Sequence, residues 1–145
     1  MKLFLIISLL FATSFPAYSY PSNDSPWAHR SVIYFAPTID EHVKQFLLET
    51  LKNDCEMMDR DVITLVITED GYTIPAWVKH EFDLKAMYLL YGIKEGSHTA
   101  ILVGKDGAEK LRWFKKANWE KIKQTIDKTQ NRHDETQGRA DPCST

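Results

Sequence analysis

Two rhythms of apolar positions run along this chain. Short, almost unbroken apolar runs alternate with stretches whose apolar residues recur every three or four positions. Arg30–Ala36 is a run of the first kind, and its continuity predicts a strand buried on both faces, as a central parallel strand is. Thr38-Ile39-Asp40-Glu41 follows and fits an S/T-x-x-E capping box. A helix is expected from there to about Asp54, with Val43, Phe46, Leu47, Thr50 and Leu51 on one stripe. Asp61–Thr68 reads as a second strand from its β-branched density. Tyr72–Val78 reads as an aromatic loop containing Pro75, and a second helix is expected over about Lys79–Tyr91 with Gly92 ending it. Its expected buried face is Phe82, Ala86, Met87, Leu90 and Tyr91.

Thr99–Val103 reads as a third strand. Gly104-Lys105-Asp106-Gly107 is expected as a hairpin turn, because Asp-Gly tolerates the positive φ such turns need. Ala108–Phe114 returns as a fourth strand. Asn118 then caps a last helix to about Gln130, packed through Trp119, Ile122 and Ile126. The pattern gives one α/β domain over residues 30–130, in the order β-α-β-α-β-β-α. It predicts a four-stranded mixed sheet with helices on both faces, the first two strands parallel across a β-α-β crossover. Residues 131–145 are polar, hold no aliphatic anchor, and are read as a disordered tail.

The N-terminus changes the address. Lys2 and the apolar run Leu3–Ala12 precede Ala17-Tyr18-Ser19, the small-x-small pattern of a cleaved leader, so residues 1–19 read as a signal peptide. Residues 20–29 read as an extended leader. The apolar run is too short to span a bilayer, so no stable membrane insertion is expected. The expected location is outside the cytoplasm, periplasmic or secreted. Without Lys2, seventeen basic residues stand against twenty acidic ones, a net charge of −3 that argues against nucleic acid as a partner. The lysines of 105–116 and 121–128 alternate with apolar residues and read as a solvated face.

This arrangement is the minimal thioredoxin-like one, and the turn after its first strand is where thioredoxins carry two reactive cysteines. Here that turn reads Thr38-Ile39-Asp40-Glu41-His42, without cysteine. The loop before the third strand, Gly96-Ser97-His98-Thr99, also lacks the proline that thioredoxins place there. Several segments together resemble one family: Arg30–Pro37, Tyr91-Gly92-Ile93, Ile101–Gly107 (Ile-Leu-Val-Gly-Lys-Asp-Gly), Lys110-Leu111-Arg112 and Ile126-Asp127. The combination resembles the P-DUDES domain of exported and secreted proteins. The resemblance implies a thioredoxin-like, peroxiredoxin-related fold, no recognisable redox cysteine pair, and no agreed activity.

The chemistry-bearing residues are few. Cys55 and Cys143 are too far apart for a CxxC motif, and an exported chain permits a structural disulfide between them; two separate thiols are the alternative. Cys55 lies near a helix C-terminus between Asp54 and Glu56, surroundings that disfavour a thiolate. The five histidines, His29, His42, His80, His98 and His133, show no HExxH spacing, so neither a metal nor a cofactor is expected. In a thioredoxin-like fold the first helix start meets the loop before the third strand. That would gather Thr38, Asp40, His42, Ser97 and His98 into a candidate ligand or anion site; simple helix capping by Thr38 and Asp40 is the plainer reading. The aromatics Tyr72, Trp77, Phe82, Tyr88 and Tyr91 read first as core and second as a partner surface. The function expected is that of an exported, non-catalytic binding or interaction module, its protein or small-molecule partner unknown. The alternative is a divergent thiol oxidoreductase or peroxidase using Cys55 and Cys143.

Overall fold

The computed structural model describes residues 29–143. The signal peptide at 1–19 and nearly all of the leader at 20–29 lie outside the described residues. Eleven elements follow in order. They are β1 (Arg30–Ala36), α1 (Glu41–Lys52), α2 (Asp54–Asp59), β2 (Val62–Thr68), β3 (Thr73–Ile74), α3 (Val78–Glu81), α4 (Leu84–Leu90), β4 (Thr99–Val103), β5 (Glu109–Phe114), α5 (Trp119–Asp127) and α6 (Gln130–Thr136).

The sheet order is β3-β2-β1-β4-β5. β1 pairs parallel with β2, Ile33 opposite Leu65, and antiparallel with β4, Ile33 opposite Ile101. β1 is buried along its whole length, as its unbroken apolar run predicts. Its residues alternate between two cores. Val32, Tyr34 and Ala36 pack with Val43, Phe46, Met57, Ile122 and Ile126 on one face. Ile33 and Phe35 pack with Leu65, Ile67, Val78, Met87 and Tyr91 on the other. Helices therefore cover both faces, with α1, α2 and α5 on the first and α3 and α4 on the second.

The sheet has five strands where the pattern predicts four. β3 has only two residues, too few for alternation to show within the stretch read as an aromatic loop. The Ile74–Pro75 peptide bond beside it is cis. β3 is a short edge; β5 is the opposite, full-length edge, carrying Glu109, Lys110 and Arg112, with Phe114 exposed at its end. The turn between β4 and β5 forms as expected: Gly107 has φ 76°, and the Asp106 carboxylate accepts from the Ala108 N–H at 3.0 Å.

Three helices depart from expectation. The first helix is capped by Asp40, whose carboxylate accepts from Val43 N–H at 3.1 Å, and Thr38 lies outside it, exposed. It also ends early, at Lys52, and the chain turns into α2. Leu51, expected on the buried stripe, is 70% exposed, and Met57 of α2 takes the core position instead. The second helix is split at Phe82-Asp83, because Asp83 is extended and its side chain caps α4 at Ala86 N–H. Leu90 is consequently exposed. Finally, α6 lies where a disordered tail is expected. Its sequence offers no apolar residue; Thr129 caps it through Arg132 N–H, and its side chains dock by charge. The last helix, α5, matches its prediction, with Asn118 capping and Trp119, Ile122 and Ile126 buried.

Candidate functional site

The two ends of β1 present different groups of polar side chains. At the carboxyl end the chain leaves the sheet through Pro37 and enters α1, while Ser97 and His98 lead into β4 alongside. His98 Nε2 lies 2.5 Å from Asp40 Oδ2. The His42 ring meets the His98 ring edge-on, with centroids 4.8 Å apart. Asp40, His42 and His98 are thus brought together. Ser97 instead donates to the Lys94 carbonyl at 2.6 Å and lies 3.0 Å from the Thr99 hydroxyl, within its own loop. Thr38 is exposed beside the group and supplies no cap.

Asp40 serves two structures at once. One oxygen caps the helix and the other holds His98. Burial pushes its carboxyl up, but the His98 hydrogen bond, the Val43 N–H and the two imidazoles pull harder, and the net direction is below its ordinary 3.8. The group is therefore an anion at neutral pH. His98 is positioned from behind as well, because Lys115 N–H donates to its carbonyl at 3.1 Å. Under it Tyr34, fully buried, donates its hydroxyl to the Lys115 carbonyl at 2.6 Å. Burial above all, then the charges of Asp40 and Glu49, push Tyr34 up to about 12, so it stays a neutral donor. Among the described residues no group of three or more His, Cys, Asp or Glu side chains has the geometry to hold a metal ion.

The cysteines lie elsewhere. Cys55 in α2 and Cys143 form a disulfide, with their Cα atoms 6.0 Å apart. Twelve residues of α1 separate its capped start from α2, a length of about 18 Å at 1.5 Å per residue. The bridge and the His98 group therefore occupy opposite ends of that helix.

At the amino end of β1 stands a denser network that sequence reasoning missed. The Arg30 side chain, 3% exposed, donates to both oxygens of Glu135 at 3.1 and 3.2 Å, and to the Arg60 carbonyl at 2.7 Å. Lys105, read as part of a solvated face, is largely covered and donates to Glu135 at 2.6 Å and Asp61 at 3.0 Å. Arg132 is bonded to the Asp59 carboxylate, Arg139 reaches the same carboxylate at 2.5 Å, and Arg60 grips Asp127 with two bonds of 2.9 Å. Burial pushes the Glu135 carboxyl up, and the hydrogen bonds and charges of Arg30 and Lys105 more than reverse it, holding it below its ordinary 4.5. Beside this network opens a cavity of about 200 Å³, lined by Arg30, Lys105, Lys110, Thr125, Thr129 and Ile126 among others. The only early signal was an arginine opening a buried strand, since a charge there demands a partner.

The aromatic group divides. Tyr91 is buried and Phe82 and Tyr88 are half-buried, but Tyr72 and Trp77 are exposed, as are Leu89 and Leu90 on α4. No described helix is long and apolar enough to cross a membrane.

No curated protein matches the chain. Residues 23–135 match the family described as Domain of unknown function (DUF4174), and the chain belongs to that family.

Proposed function

We propose that this chain is an exported, non-catalytic binding or interaction module on a thioredoxin-like scaffold. One observation carries the reading: the start of α1, where a thioredoxin would hold its thiols, holds the Asp40–His98 pair, while both cysteines are joined beyond the other end of that helix. The order β2-β1-β4-β5, with only β1 and β2 parallel, supports the scaffold, β3 being an addition at one edge. The P-DUDES resemblance is part of the same proposal.

The ligand site proposed is the surface around Asp40, His42 and His98, with Thr38 and Ser97 at its margin. Asp40 already accepts from the Val43 N–H in the first turn of α1 and is negatively charged. The site therefore suits a polar ligand that donates to a carboxylate and pairs with imidazole better than it suits a free anion. The leader Met1–Ser19 and the disulfide both accord with export. The test is an NMR titration of the exported protein with the small solutes and peptides of its compartment, watching the ring protons of His42 and His98. A ligand that shifts those rings, and loses affinity in His98→Ala, supports the site. Ligands that shift only other regions refute it.

The second reading, a thiol oxidoreductase, rests on the exposure of Cys55. Purified protein is expected neither to speed insulin reduction by dithiothreitol nor to consume hydrogen peroxide catalytically. Turnover that vanishes in Cys55→Ser would establish the enzyme instead.

A further inference from the structure

The cavity at the amino end of β1 carries more cationic than anionic side chains along its lining. Three cations line it, Arg30, Lys105 and Lys110, against one carboxylate, Asp106. Lys110 and Asp106 are paired with each other at 2.6 Å. That leaves Arg30 and Lys105. Both reach the cavity, and both are held by one carboxylate, Glu135, delivered from the C-terminal segment, with Asp61 as a second partner of Lys105. The arginine contact is a two-pronged fork, the geometry by which guanidinium recognises a carboxylate. Arg30 is almost fully buried, so without Glu135 its charge would want another anion in the same place.

We propose that this cavity is a binding site for a small carboxylate ligand, that such a ligand displaces Glu135 from the two cations it holds at the cavity's edge, and that the Cys55–Cys143 bridge sets how readily Glu135 leaves. The ligand's carboxylate takes the place of Glu135 on Arg30 and Lys105. Its body lies in the cavity against Leu102 and Ile126, near the Thr125 and Thr129 side chains. A volume of about 200 Å³ falls below the roughly 300 Å³ at which drug-sized sites begin, which selects short-chain acids.

The bridge acts through tethering. α6 follows α5 closely on one side, and on the other it is tied to the domain at Cys143. Pinned at both ends, Glu135 meets its cations at high effective concentration. A dithiol reductant changes this. One of its thiolates attacks the Cys55–Cys143 bond, and the second closes the reductant's own disulfide. The products are two protein thiols and the oxidised reductant: two electrons pass to the protein sulfurs, and the two protons of the reductant's thiols end on Cys55 and Cys143. α6 is then held only by its charge pairs and its Thr129 cap, and an external carboxylate competes on better terms. This site is at the opposite end of β1 from His98 and stands independently of the ligand proposed there.

The experiment is a calorimetric titration of the exported chain with succinate at constant ionic strength. It is run oxidised and after reduction by dithiothreitol, with inorganic phosphate as the contrast. The oxidised parent is expected to bind weakly, and reduction to tighten succinate at least tenfold. Glu135→Ala is expected to bind tightly in both states, and Glu135→Ala with Lys105→Gln to lose that gain. Should Glu135→Ala fail to fold, Cys55→Ser with Cys143→Ser and Glu135 intact reads the gate directly, with the same tenfold gain over the oxidised parent. Equal succinate affinity in parent, reduced parent and variants overturns the proposal, and phosphate binding as tight as succinate overturns its carboxylate chemistry.

Discussion

At the carboxyl end of β1 three ionisable side chains, Asp40, His42 and His98, meet in a partly open setting. At the amino end Arg30, Lys105, Arg132, Asp59 and Glu135 are drawn into a network that is mostly covered. The first end is assembled by backbone: a helix start and a strand start bring their residues together whatever the side chains are. The second is assembled by side chains reaching across the sequence, Arg30 to Glu135 over 105 positions and Arg132 to Asp59 over 73. Removing a residue should therefore have different consequences at the two ends. At the first it alters a surface group on an intact frame; at the second it leaves a buried charge unmatched.

The sharpest break is Asp59→Ala. It takes away the carboxylate bonded to both Arg132, whose side chain is 7% exposed, and Arg139. It leaves Arg132 only the Asp59 carbonyl and longer contacts to Asp127 and Glu135, and should destabilise by about 3 kcal/mol, read from denaturant midpoints. A loss below about 1 kcal/mol would show that the network is no tighter than a surface pair. Next comes the bridge. The chain-entropy model gives about 4.6 kcal/mol for a loop closed across 88 positions. Ordering the segment after α6 offsets part of that, so the Cys55→Ser, Cys143→Ser double variant should lose about 2 kcal/mol. Melting curves that coincide with the parent's would mean the tail contributes nothing to stability.

The carboxyl end should respond less. Asp40→Ala removes the cap of α1 and should cost about 1 kcal/mol. Thr38→Ala should stay within about 0.5 kcal/mol, since Thr38 is exposed and does not cap. The reverse order in urea titrations would restore the capping-box assignment. The smallest effect is in acid. Asp40 and Glu135 both have folded pKa values below their ordinary 3.8 and 4.5. Their stabilisation is complete above those ordinary values and is lost as pH falls through the lower folded ones. Stability measured from pH 5 downward should therefore decline, and Glu135→Gln should flatten the part due to the amino end.

The same contrast explains what could be read from the chain. β1, β2, β4, β5 and α5 were legible because their apolar spacing is set by burial. The meeting of Asp40 with His98 was legible because topology alone dictates it. Ser97 bonds within its own loop, to the Lys94 carbonyl and beside the Thr99 hydroxyl, a matter of turn geometry that spacing does not encode. α1 was mis-capped because Thr38 and Asp40 both offer capping oxygens near the turn, and only the extended backbone of Asp40, φ −117° and ψ −170°, decides between them. The split at Asp83 is a cap placed inside an otherwise continuous helical pattern. α6 escaped for a different reason. Gln130–Thr136 has no apolar periodicity at all, and what orders it is ionic pairing whose other half lies in β1, α2 and the β4–β5 turn.

The β5 edge bears on how this protein behaves when crowded. Among the described residues it is the long unpaired border of the sheet, a ready template for another chain, and Phe114 stands exposed at its end. What guards it is charge. Glu109, Lys110 and Arg112 lie along it, and Lys115 turns the backbone into the left-handed region at φ 62°, ending the strand before it can lengthen. A second copy seeking to extend the sheet would have to bring its own charged border into register with this one. Neutralising Lys110 and Arg112 would turn a protected margin into an aggregation seam, without touching the core.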